Sequence, residues 1–424
     1  MAAAAGPRIR SGNARRTGLI LGIALVLLGL CFKASVRGDG IGYYAYLPTV
    51  AGNHSLDMRP TFDRFLNAGV PAWSPNLHIR LPNGLTANYK QVGSAVMAAP
   101  FYLATELALV VTPQTEDPTL GAPYQLAFTA ASLFYALLAL FLLCRFGRDL
   151  FGRGSARLAV LAVTFATPLV AYIFFEPSYS HTFSVAALTV FALFLYKTTD
   201  SRARWQWFAL GVVGGIMVIT HVQEILFLAL IPAEAIWLIS RRRWSLRLLP
   251  GYGLLALGGL VGILPQLLDD QLIYGRWLPP SAPNIHFDFL HPQLLPLLFS
   301  THHGWLSWSP FVLVALLGLP LVVRRLGWFA IALIAIGIGE VFLNASLSDW
   351  WGGLGFGSRR LTDQTLLLTL GYAAVFEWLR ARNLARLVVA GVVAGVLWTI
   401  LLLANFYYII RTDVQPTWHD FLNG

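Results

Sequence analysis

Apolar residues in this chain come in long runs separated by short polar stretches. The runs cover about 18–36, 92–111, 122–144, 158–174, 182–196, 206–220, 225–239, 248–268, 305–323, 328–345, 364–379 and 387–409. A helix needs about 20 mainly apolar residues to cross a bilayer, and in hydrocarbon it must satisfy its own backbone hydrogen bonds. The pattern therefore predicts an all-α polytopic membrane protein. Only 12% of the 424 residues are charged, 57% are hydrophobic, and the mean hydropathy is +0.64, values that no solvated globular surface shares. Cys31 and Cys144 both lie within apolar runs, which argues against a disulfide framework or a metal cluster.

Charge then orients the runs. The net charge of +10 would suggest a nucleic-acid partner if it were spread over a soluble surface, but it is segregated. Six clusters carry most of it: Arg8, Arg10, Arg15 and Arg16; Arg145, Arg148, Arg153 and Arg157; Lys197, Arg202 and Arg204; Arg241, Arg242, Arg243 and Arg247; Arg324 and Arg325; Arg380, Arg382 and Arg386. They hold 20 of the 30 basic residues with only Asp149, Asp200 and Glu377 nearby, so they carry +17 and the remainder −7. The positive-inside rule makes all six cytoplasmic, and the chain must then cross an even number of times between neighbours. The interval with three runs breaks that parity. Mid-run Pro100 and Glu106 make 92–111 the one to set aside, as a juxtamembrane helix on the outer surface.

Eleven spans follow, with the N-terminus inside. A basic stretch before an apolar one also fits a signal peptide, but the length of the run and the lack of a small-x-small site favour an uncleaved first span. The expected organisation is a cytoplasmic basic N-terminus over 1–17, a transmembrane catalytic module over 18–379 with an outer loop over 37–121, and a segment 380–424 with the last span and an outer tail. A multi-pass protein of a bacterial inner membrane is expected, with its chemistry on the outer face and no nucleic-acid partner.

Chemistry-bearing residues gather in the outer loops. "RGDGIGYYAYLPTV" places Asp39 among Gly38, Gly40 and Gly42, which allow close backbone approach, with Tyr43, Tyr44 and Tyr46 beside it. Asp57, Asp63 and Arg64 follow; Glu176, Tyr179 and His181 lie in "FFEPSYSH"; His221, Gln223 and Glu224 cap the next hairpin; Asp269 and Asp270 end another run. Arg359 and Arg360, with Asp349 and Asp363, occupy "SDWWGGLGFGSRRLTDQ". Adjacent arginines on the face that the positive-inside rule disfavours suit a phosphate, because guanidinium is its preferred bidentate ligand. His286, Asp288, His291, His302 and His303 supply imidazoles and carboxylates suited to a divalent metal, but in no fixed spacing, so no metal ligand is assigned. Glu234 and Glu340 fall inside apolar runs and should face the protein interior. There is no Walker loop, GxSxG elbow or CxxC pair, and the short cytoplasmic loops leave no room for a nucleotide site.

From Asp39 to about Leu370 the chain resembles the lipid-linked-sugar glycosyltransferases of GT-C fold, in particular bacterial relatives of the aminoarabinose and protein-mannosyl transferases. The resemblance is carried by "GDGIGYYAYLP", "NYKQVGSAVMAAPFYL", "LPQLLDDQLIYGRWLPP", "LLFSTHHGWLSWSPFVLVALLGL" and "DWWGGLGFGSRRLTD", the last being the most specific. It implies a polyprenyl-phosphate sugar donor whose tail arrives through the bilayer, an envelope glycan, lipid or protein acceptor, and transfer of a hexosyl or pentosyl group with inversion. It further implies Asp39 as the first-loop acid and general base, Glu176 as the second catalytic acid, and Arg359 and Arg360 on the donor phosphate; Tyr43, Tyr44, Lys90 and His181 are the expected substrate contacts. The family's paired acids are reduced here to Asp39 alone, since Gly40 follows it, so the metal requirement and the acceptor class stay open. The competing reading, a transporter or lipid-linked-glycan flippase, would show inverted repeats and polar groups near the midplane, whereas here most ionisable residues gather at one face.

Overall fold

The computed structural model describes residues 29, 31–70, 79–111, 117–278 and 285–408. Its elements are helical: α1 (Gly40–Leu47), α2 (Arg59–Asn67), α3 (Gly93–Val111), α4 (Ala122–Phe151), α5 (Arg153–Phe165), α6 (His181–Thr198), α7 (Arg204–Thr220), α8 (Leu230–Ser240), α9 (Leu249–Tyr274), α10 (Leu294–Phe299), α11 (Trp305–Trp308), α12 (Val312–Leu326), α13 (Trp328–Ala345), α14 (Thr365–Arg380) and α15 (Ala385–Tyr408). Beyond two isolated bridges, no strand occurs among the described residues.

Seven segments are long and apolar enough to cross a membrane: Gly93–Val110, Ala122–Phe151, His181–Thr198, Val222–Ser240, Leu246–Tyr274, Trp328–Ala345 and Ala385–Tyr407. The protein is a multi-pass membrane protein. The expected surface helix over 92–111 is among the seven; Pro100 sits inside the continuous α3, so by length and composition this helix ranks with the spans. Four other expected spans are shorter or interrupted helices. They are α5, followed after a break by a π-helical turn at Ala171–Phe175; α7; the broken pair α11 and α12; and α14. Most of the expected first span lies outside the described residues, and residues 32–36 of it are not helical.

The exposed faces agree with a lipid setting. α9 presents Leu257, Leu260, Val261, Leu264, Leu268 and Leu272 outward, and α15 presents Leu387, Val393, Leu397 and Ile400. Apolar faces of that extent are not left in water by a monomeric soluble protein.

Within the bundle, where lipid is as apolar as leucine, small residues let helices close up. Gly211 and Gly215 of α7 face Gly258, Gly259 and Gly262 of α9 so closely that a methyl group on Gly215 would lie 2.7 Å from the Gly262 Cα. α12 and α14 meet in the same way, a methyl on Gly318 falling 2.8 Å from the Gly371 carbonyl carbon. Buried charge is paired. Arg202 grips Glu234 with both terminal nitrogens, 2.8 and 3.1 Å, and lies over the Trp207 ring. The interior placement expected of Glu234 thus has an ion-pair partner, while Glu340 is fully buried with none among the described residues.

Helix direction sorts the two ends of the bundle. Arg202, Asp200 and Arg243 meet at one end, as do Arg325 and Glu377. At the other end lie the start of α1, the turn before α6, the end of α7, the end of α13 and the start of α14. Asp39, Glu176, His221, Asp349 and Arg359 are all there.

Candidate functional site

Asp39 precedes the first turn of α1, after Gly38 in the left-handed region at φ +55°. Two further glycines set its surroundings by having no side chain. A methyl on Gly40 would lie 2.8 Å from the Ser178 carbonyl oxygen and collide with the Ser178 side chain, so only glycine lets α1 lie against the 176–178 turn. A methyl on Gly42 would strike Lys90 Cγ at 2.5 Å, so only glycine lets the lysine stem cross the helix. Lys90 Nζ then reaches Asp39 Oδ2 at 3.0 Å. Tyr46 adds to the same wall, its hydroxyl donating to the Lys90 carbonyl at 2.6 Å and contacting Asp269 Oδ2 at 3.2 Å.

Arg359 arrives from the far end of the chain, 320 positions away, and donates from Nη1 to the same Asp39 Oδ2 at 2.8 Å. Its guanidinium lies over the Tyr179 ring. The loop before it is held in left-handed turns at Gly352, Gly353 and Gly357, and Gly355 lies so near the arginine stem that a methyl there would come 2.8 Å from Cδ. The glycine-rich loop is therefore the bed of Arg359. Asp39 and Arg359 side chains are each 13% exposed. Burial alone would raise the Asp39 pKa, but the charges of Lys90 and Arg359 outweigh it and hold the carboxyl well below the usual range.

Glu176 sits beside this cluster at the end of the π-helical turn, buried, with Oε2 lacking a hydrogen-bond partner among the described residues. Burial pushes its pKa up to about 7 against the pull of the Arg359 charge. The site thus pairs one carboxylate locked in the ionised state with another poised near neutrality.

Other expected contacts are placed differently. Tyr43 stays at the cluster, with the Lys90 ammonium over its ring at 5.5 Å. Tyr44 does not: it is fully buried, packs edge-on against Phe65 and Phe128, and donates its hydroxyl to the Pro118 carbonyl at 2.9 Å. Its role is in the core, because neighbours along one short helix point to different faces. His181 is 4% exposed and stands one layer back, 4.4 Å from the Tyr172 ring, with Nδ1 3.3 Å from Thr362 Oγ1. Arg360 turns away from Arg359 and holds Asp349, donating to Oδ2 at 2.6 Å and to the carbonyl at 2.9 Å. The adjacent arginines are therefore two separate ion pairs and do not form one clamp.

The histidines of the 285–304 region do not converge. Asp288 and His291 pair at the surface, 3.1 Å apart; His303 is buried with its Nδ1 at the Trp351 carbonyl, and burial together with neighbouring His302 pushes its pKa down to about 3. Among the described residues no three His, Cys, Asp or Glu side chains are grouped to hold a metal ion, and no chemical step is assigned to one.

Lys90 enters the sequence reading only through the resemblance. A usable signal was present nonetheless: it is one of three lysines in the chain and the only one between Lys33 and Lys197. Tyr46 and Asp269 could not be joined by sequence reasoning, since 223 positions separate them.

No family model matches the chain, and no curated protein matches it. Solved structures do. ArnT from Cupriavidus metallidurans in the apo state is similar over 96% of this chain and 67% of its own, with a TM-score of 0.53 at 15% identity. The same protein bound to undecaprenyl phosphate is similar over 94% of this chain and 71% of its own, with a TM-score of 0.50 at 16% identity. At such identities the likeness establishes the fold, a GT-C-like membrane architecture, over nearly the whole chain.

Proposed function

We propose that this protein transfers a sugar from a polyprenyl-phosphate donor to an envelope glycan, lipid or protein acceptor, with inversion, at the Asp39 end of the bundle and on the outer face of a bacterial inner membrane. The observation that carries the reading is the double clamp on Asp39, in which Lys90 and Arg359 converge on one carboxylate oxygen with little exposure to solvent. Two cations sharing a single carboxylate leave one positive charge in excess, which suits a second anion. The binding of undecaprenyl phosphate by a protein of the same fold supports a lipid phosphate as that anion.

In the reaction the acceptor hydroxyl oxygen attacks the anomeric carbon. The bond from that carbon to the phosphate oxygen breaks, the lipid phosphate leaves with its electron pair, and the hydroxyl proton passes to a carboxylate. Arg359 and Lys90 stabilise the charge that grows on the leaving phosphate. A carboxylate held far below its usual pKa is a weak base, so the free-state clamp would make Asp39 a poor proton acceptor. Donor phosphate relieves this by drawing both cations to itself, which returns proton affinity to Asp39 as the reactants assemble. Glu176, poised near pH 7 beside the same arginine, is the second group matched to proton transfer at neutral pH.

The test is sugar transfer from polyprenyl-phosphate donors by the purified protein in lipid, with wild type compared to Asp39→Asn. Loss of a general base costs about 10²- to 10⁴-fold, so the variant should fall by at least two orders of magnitude while still binding lipid phosphate. Equal transfer by both proteins would end the assignment.

A further inference from the structure

Behind the Arg359–Gln364 turn lies a second polar cluster that the proposed reaction does not use. Asp363, with no side-chain exposure, receives three neighbours: His221 Nδ1 at 2.7 Å and Gln223 Nε2 at 2.6 Å on Oδ2, and Ser184 Oγ on Oδ1. Ser184 Oγ also lies 2.6 Å from Glu224 Oε1. Gln364 Nε2 donates to Glu340 Oε2, and Asn344 Nδ2 donates to Gln223 Oε1 at 3.2 Å. Gln223 makes a further bond, to the Arg360 carbonyl at 2.6 Å, which ties the cluster to the turn that carries both arginines.

Counting protons constrains this cluster. A serine hydroxyl has one proton and a carboxylate has none, so Ser184 donates to only one of its two carboxyl neighbours. The other contact holds only if that neighbour is an acid with its proton on. Asp363 accepts from two further donors and is the natural carboxylate. Among the described residues Glu224 has Ser184 as its sole hydrogen-bond partner; it is fully buried, and its Oε2 has none. Glu340 is likewise fully buried, its Oε1 without a partner among the described residues. Neither glutamate has a cationic partner among the described residues, because Arg359 is taken by Asp39 and Arg360 by Asp349. Three buried carboxylates facing one another, with the His221 imidazole on Asp363 as the one available counter-charge among the described residues, would be far too costly, so protons must neutralise the two glutamates.

We propose that Glu224 and Glu340 are neutral acids in the folded protein. The chain of bonds from Glu224 through Ser184 to Asp363, and from Gln223 to the Arg360 carbonyl, is what positions the Arg359–Gln364 turn. Glu224, Ser184, Asp363 and Gln223 are positioning residues that set the cations from behind. Asp363, as the carboxylate, also holds the His221 ring through Nδ1. This inference rests on the proposed function only for the identity of the anion that the positioned cations meet.

Two measurements on the full-length protein in lipid test it without a transfer assay. Infrared spectroscopy near neutral pH should show a deuterium-sensitive carbonyl band of protonated carboxyl groups, and Glu224→Gln should remove part of it, Glu340→Gln another part. Hydrogen exchange should then separate the variants. Gln at 224 keeps a donor for Ser184 and should leave the 358–364 amides protected, whereas Ser184→Ala breaks the chain and should speed their exchange at least about tenfold. An infrared band unchanged in both glutamine variants, or 358–364 amides as protected in Ser184→Ala as in wild type, would overturn the proposal. Loss of the band alongside a wild type that transfers no sugar would support the proton assignment and count against the proposed function instead.

Discussion

Asp39 and Glu176 are close neighbours with opposite electrostatic fates, and each fate can be tested at the level of one side chain. Asp39 in the free protein is ionised through the working range, so it contributes no limb to the pH profile of kcat/KM. Glu176 accepts a proton only when ionised, which with a pKa of about 7 means above neutrality. Transfer should therefore rise as pH passes about 7, and Glu176→Gln should flatten that limb while leaving binding of lipid phosphate intact; a limb that survives in the variant assigns it elsewhere. The linkage to stability has the other sign for Asp39. Its pKa is depressed on folding, so its stabilising contribution is present above the ordinary carboxylate range and is lost as pH falls through the folded value. Arg359→Lys should be a poor substitute for Arg359, because a single ammonium loses the planar fork that spans the Tyr179 ring and Asp39. A rise of about tenfold or more in the donor KM is expected, and an unchanged KM would remove Arg359 from donor binding.

Elements position those side chains through contacts that tolerate no extra atom. Gly40→Ala should displace α1 from the 176–178 turn at a cost of about 1–3 kcal/mol, the usual range for overpacking, seen as a lower thermal midpoint. Adding Ser178→Gly should recover part of the loss, since the Ser178 side chain is one of the colliding groups; the absence of any recovery would place the strain elsewhere. At the arginine end, Glu234→Ala leaves Arg202 buried and unpaired, and about 3–5 kcal/mol of destabilisation is expected. That loss should appear in thermal melts with little change in donor affinity, because the pair lies at the opposite end of the bundle.

At the scale of the whole molecule the two ends should face different compartments. In a background lacking Cys31 and Cys144, a cysteine at exposed Leu354 should react with an impermeant thiol reagent from the outer side. One at Ser201, beside the Arg202 and Arg243 cluster, should react only after the membrane is opened. Labelling of both from one side would contradict the orientation drawn from the arginine clusters.

The sequence by itself determined the material and most of the elements. Long apolar runs require helices wherever water is absent, so all but one of the runs recur as helices within the described residues, with the first lying largely outside them. The residues of the site were legible for a related reason. Acids, histidines and arginines are costly in lipid, and their grouping in a few loops marked Asp39, Glu176 and Arg359 in advance. Pairing was not legible. That Arg359 and Lys90 share one oxygen of Asp39, that Arg360 instead holds Asp349, and that Tyr44 and His181 are packed away depends on helices meeting across hundreds of positions. Periodicity and charge are local properties of a chain, whereas the state of a buried carboxylate depends on which charges the fold brings within a few ångströms of it. Only the tertiary structure decides that.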